Sequence, residues 1–130
     1  MNKVSIVIAW IGSALLFIGA GFHLTALGII REEATKIDNA FLASALEPVW
    51  TFSSIHWMAF GVIAGIAALK PSSQSRIFLA VIGLALAVDA VLAFTAIGPF
   101  AGAIILGTAG LCFGVAALIQ RPTKTLQKMA

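Results

Sequence analysis

Long apolar runs, broken by short polar segments, dominate the pattern of this chain. Val4–Ile30, Val49–Leu69, Ile77–Ile97 and Phe100–Ile119 carry almost no charge. A helix needs about 20 apolar residues to cross a hydrocarbon layer of about 30 Å, and each run meets that length. The third and fourth are separated only by Gly98-Pro99, a link too short for anything but an antiparallel hairpin. Pro48, Pro71 and Pro99 fall at the remaining boundaries, where a missing N–H costs a helix little. The pattern predicts an all-α integral membrane four-helix bundle, antiparallel and up-down-up-down, as a single transmembrane domain over residues 1–130. The first run exceeds the 7–15-residue core of a cleaved signal and reads as a retained span. Its length implies tilt or protrusion.

Between the spans lie an outer loop, 31–47, a second loop, 70–76, and a tail, 120–130. Lys3, Lys70, Arg76, Arg121, Lys124 and Lys128 fall on one side, while Arg31 and Lys36 fall on the other with Glu32, Glu33, Asp38 and Glu47. The positive-inside rule then makes both termini cytoplasmic and the 31–47 loop external. The expected location is a bacterial inner (plasma) membrane, with the outer loop in the periplasm. Trp50 belongs at the outer interface. In the outer loop, Thr35-x-x-Asp38 has the form of a helix cap, and Ile37, Phe41 and Ala45 recur at helical spacing. A short amphipathic surface helix is expected there.

Composition agrees with lipid as the solvent: 61% of residues are hydrophobic and 10% charged, with a mean hydropathy of +1.07. The net charge of +3 does not point to nucleic acid, because the basic residues are scattered in connections and no basic stripe with stacking aromatics exists. One cysteine, Cys112, excludes an internal disulfide and CxxC chemistry.

Lipid tails offer no hydrophobic drive between helices, so small residues mark where helices touch. Ala103, Gly107, Gly110, Gly114 and Ala117 form such a stripe on the fourth span, and Gly12, Gly19 and His23 share a face of the first. These seams fit intramolecular packing, a homo-oligomer or a larger membrane complex equally well. An internal likeness is also visible: Ile8–Leu15 resembles Leu79–Leu86, and Phe60-Gly-Val62 resembles Phe113-Gly-Val115. It is the pattern that two duplicated hairpins would leave, or that few residue types would produce by chance.

Ionisable residues inside spans are costly and serve as candidate sites. His23 lies seven residues from Ile30, His56 seven from Val49 and Asp89 eight from Ile97. All three fall about 10–12 Å below the outer boundary, at 1.5 Å per residue. Ser53 lies near His56, Trp57 near the same depth, and Thr108 at a similar depth on the fourth span. The layer reads in several ways. It is either a structural polar cluster or a site for a hydrophobic ligand or cofactor. Two imidazoles suit haem b, and His23, His56 and Asp89 together suit a single metal ion. Asp89 can also fix a histidine tautomer for acid–base chemistry, or carry protons in a small oligomeric transporter. An accessory or assembly subunit of a larger membrane complex is the remaining class. No nucleophile–base pair or phosphate-binding loop is present to decide whether the protein is an enzyme.

Overall fold

In a computed structural model, which describes residues 3–70 and 72–120, the chain is helical nearly throughout. Its elements are α1 (Lys3–Thr25), α2 (Leu27–Ala34), α3 (Ala40–Leu69), α4 (Ser73–Ile97) and α5 (Ala101–Ile119). Four of them, α1, α3, α4 and α5, are long and apolar enough to cross a membrane, and they form a four-helix bundle. Helix α1 packs against α3 and α5, α4 packs chiefly on α5, and the α3–α4 seam is the slightest of the four. The expected tail, with Arg121, Lys124 and Lys128, lies outside the described residues.

The distribution of side chains is that of a protein solvated by lipid. Phe113, Leu16, Leu79 and Leu86 are fully buried, but most of the interior is alanine, glycine and serine, including Ser5, Ser13 and Ser54. Large apolar residues such as Ile18, Phe22, Ile55, Val81, Leu84 and Leu111 face outward. A soluble bundle inverts this order, whereas a membrane bundle needs small residues where helices meet. Helices α4 and α5 come closest at Gly83 and Gly110. A Cβ on Gly83 would lie 2.9 Å from both the Gly110 carbonyl oxygen and the Gly114 nitrogen. The two small-residue seams are therefore used within the chain: Gly110 against α4, and Gly12 and Gly19 against Phe113 and Ile105 of α5.

The helix boundaries depart from the expected spans in three places. The first run breaks at Ala26, so that Val4–Ile30 becomes α1 and part of α2. Here the His23 carbonyl accepts both the Ala26 N–H (3.2 Å) and the indole N–H of Trp50 (2.8 Å). The remaining 23 residues of α1 still span about 35 Å. Second, the helix containing Val49 starts at Ala40 with Pro48 inside it. Its cap is Asn39, whose side chain accepts the Leu42 N–H at 3.1 Å. Thr35 instead ends α2, and its hydroxyl bonds to the Glu32 carbonyl. Pro48 is tolerated because it sits in the part of α3 that exceeds a membrane crossing, where water can satisfy the carbonyl it leaves free. Third, the 70–76 connection shrinks, since Ser72 caps α4 by accepting the Ser75 N–H. At the other end Gly98 turns the chain with φ of 92°, a conformation open mainly to glycine.

The buried faces of α1 and α4 do repeat, but not in the register of the matching letters. Ser5, Ala9, Gly12, Ser13, Leu16 and Ala20 of α1 correspond to Ser75, Leu79, Ile82, Gly83, Leu86 and Ala90 of α4. The likeness that pairs Gly12 with Gly83 is one residue out of this register. One residue turns a helix by about 100°, so the similar letters occupy different faces. The resemblance of Ile8–Leu15 to Leu79–Leu86 is not a repeat of packing.

Candidate functional site

The inward-facing polar cluster is built around His23, near the end of α1. Its Nδ1 shares a 2.8 Å hydrogen bond with the Ser54 hydroxyl of α3. The imidazole stacks on Trp50, with centroids 3.7 Å apart and planes within 7°, and lies tilted against Trp57 at 4.7 Å. These α3 residues share one face because Trp50, Ser54 and Trp57 are spaced four and three apart. Trp57 is buried, and the Trp50 indole also bonds to the His23 backbone. The cluster clasps the last turn of α1 to α3 at the point where the chain bends into α2. Replacing His23 or Ser54 by alanine is expected to cost about 1–2 kcal/mol each, as for a partly buried hydrogen bond. A double-mutant cycle on unfolding in mixed micelles should show a coupling of about 1 kcal/mol between them.

The other members of the expected layer point elsewhere. Ser54 and His56 are two residues apart on α3 and so lie about 200° around its axis from one another. His23 meets the Ser54 face, whereas His56 is on an exposed face, edge-on to Phe52 (4.4 Å) and Phe60 (5.6 Å). Asp89 is exposed on α4. The Ser53 hydroxyl bonds to the Val49 carbonyl and the Thr108 hydroxyl to that of Ile104, each within its own helix. Equal depth does not bring these groups together. Two imidazoles on opposite sides of α3 do not fit as axial ligands of one haem. Nor do His23, His56 and Asp89 fit a single metal ion: among the described residues no three of His, Cys, Asp and Glu converge as a metal site requires.

A feature not anticipated from the sequence lies at the α2 end. There, α2 and α3 border an open groove of 560 Å³, lined by Arg31, Ala34, Ser44, Glu47, Pro48 and Phe52 among others. Arg31 donates a 2.6 Å hydrogen bond to Glu47 across its rim. That bond raises the Arg31 pKa above its ordinary value, so the guanidinium stays charged. Deeper along α3, Thr51, Phe52 and Ile55 continue the wall as a mainly apolar surface. Lys36 pairs with Glu33 at 2.7 Å and Glu32 at 3.4 Å, outside the groove lining. The sequence carries the Arg31 and Glu47 charges, but their pairing depends on the chain folding back between α2 and α3.

No family model matches this sequence, and no curated protein or solved structure matches it.

Proposed function

We propose that this is a small integral membrane protein that binds an amphiphilic, lipid-like molecule in the groove between α2 and α3. The carrying observation is the shape and chemistry of that groove: a charged rim, Arg31 and Glu47, above an apolar wall of Pro48, Phe52 and Ile55. A volume of 560 Å³ lies in the range of about 300–1,000 Å³ common for small-ligand sites. An acidic headgroup can take the outer donors of Arg31, since guanidinium matches phosphate and carboxylate geometry, while the acyl part lies along Phe52 and Ile55. The excess of basic residues at the other end supports placing this groove in the outer leaflet; the membrane proposed is a bacterial inner membrane. The hydrophobic ligand expected from the sequence is retained in this reading. Its position moves from the histidine layer to the helix pair above it.

Native mass spectrometry with added phosphatidylglycerol tests the reading. Wild-type protein is expected to retain phosphatidylglycerol, Arg31→Ala to weaken retention about tenfold, and Phe52→Ala to weaken it by a smaller factor. A tenfold change corresponds to about 1.4 kcal/mol, at the lower end for a hydrogen bond to a charged group. Equal retention by wild-type protein and both variants would overturn the assignment.

A further inference from the structure

The α3–α4 seam is the slightest of the bundle, and its two walls carry the remaining intramembrane histidine and the intramembrane acid. Near the α3–α4 connection the helices border a groove of 550 Å³, lined by Ile63 and Ile66 of α3, by Lys70 just beyond it, and by Gln74, Ser75 and Phe78 of α4. Helical spacing extends both walls toward the other end. His56 precedes Ile63 by seven residues, close to two turns, and Asp89 follows Phe78 by eleven, close to three. Both side chains therefore lie on the faces that border this groove. Measured from the α3–α4 connection, His56 rises about 20 Å and Asp89 about 24 Å, within one helical turn of each other. Among the described residues neither makes a hydrogen bond or ion pair. Helix α4 is also the least covered of the four by the rest of the chain.

An unpartnered carboxyl on an exposed helix face within the hydrocarbon costs at least about 2–3 kcal/mol. A nearby exposed imidazole of matching depth supplies the complementary group. We propose that a second copy of this chain covers the α3–α4 face, so that Asp89 of each protomer pairs with His56 of the other. A two-fold axis along the membrane normal leaves depth unchanged, so an isologous contact between different residues requires those residues to be level. His56 and Asp89 meet that condition and border the same groove. The pairing also runs α3 of one copy against α4 of the other in the antiparallel sense already used within each bundle. The unpaired edges of both helices are covered in one contact.

Disulfide trapping in native membranes tests this, in a background with Cys112→Ala. Two differently tagged copies, one carrying His56→Cys and the other Asp89→Cys, are co-expressed and oxidised. A cross-linked species bearing both tags is expected. A single chain carrying both cysteines provides the contrast. If it closes only on itself while the separate copies do not link, the two groups pair within one chain and the dimer is overturned. If no link forms in either arrangement, the dimer is overturned as well. Counting photobleaching steps of labelled protein in phosphatidylglycerol vesicles gives a readout free of the engineered thiols. Wild type is expected to bleach in two steps, and Asp89→Leu to shift the equilibrium at least tenfold toward one. Predominantly single-step bleaching of the wild type would also defeat the proposal.

Discussion

Gly83→Ala is expected to lower the stability of the bundle by about 2 kcal/mol, read from unfolding in mixed micelles. The added Cβ would meet the Gly110 oxygen and Gly114 nitrogen at 2.9 Å. Both are backbone atoms in the middle of α5, so relief requires moving a whole helix rather than turning a side chain. Overpacking of this kind costs about 1–3 kcal/mol, and the upper end applies where backbone faces backbone. Alanine recovers about 1 kcal/mol in helix propensity, which leaves the net loss near 2. Gly114→Ala is the control, because a Cβ there meets nothing within 4 Å. It should be neutral or slightly stabilising. If the two substitutions behave alike, the close approach of α4 and α5 does not govern stability.

A larger loss, about 2–4 kcal/mol, is expected for Phe113→Ala. Phe113 is fully buried, and its ring edge fills the notch opposite Gly12, 2.8 Å from where a Cβ would stand. In water, Phe→Ala in a core costs about 3–5 kcal/mol, combining a transfer and a cavity contribution. In a bilayer the separated helices are already in an apolar solvent, so the transfer part largely falls away. The lost contacts between α1 and α5 remain, and they set the lower range. Phe113→Leu should recover about half of the loss, since it fills part of the space. The same unfolding assay distinguishes the three proteins. Equal stability of wild type and the alanine variant would show that α1 and α5 are not held by this contact.

The spanning helices were legible because an apolar run of about 20 residues has few other uses. Their ends were less so. Pro48 has the form of a boundary residue, but a proline beyond the hydrocarbon can be accommodated inside a helix, and Asn39 provides the cap that Thr35 does not. Depth alone does not define a site, for a geometric reason. Counting residues from a boundary gives height in the membrane and nothing about direction around the helix. His23, His56 and Asp89 share a height, yet His23 looks inward at Ser54, while His56 lies on the far side of α3. A signal for the inward direction was present: Ser54, Trp57, Gly61, Gly65 and Ala68 recur at spacings of three and four along α3 and are buried. That stripe selects Ser54 over Ser53 as the partner of α1. The Arg31–Glu47 contact had no comparable local signal, because it joins residues on two helices whose fold-back is set by the break at Ala26 and the cap at Asn39.

The four crossing helices also differ in length, from 19 residues in α5 to 30 in α3. At 1.5 Å per residue these correspond to about 28 Å and about 45 Å. The short helix is therefore the ruler for the surrounding bilayer: α5 has no spare turn with which to meet a thicker layer, whereas α3 has several. Lipids beside α5 must thin or the helix must stay nearly upright, while those beside α3 face a wall that extends past them. The two sides of the molecule thus differ in how far their helices reach past the apolar layer. Bilayer thickness then acts on it unevenly, pressing on the α5 side while leaving the α3 side slack.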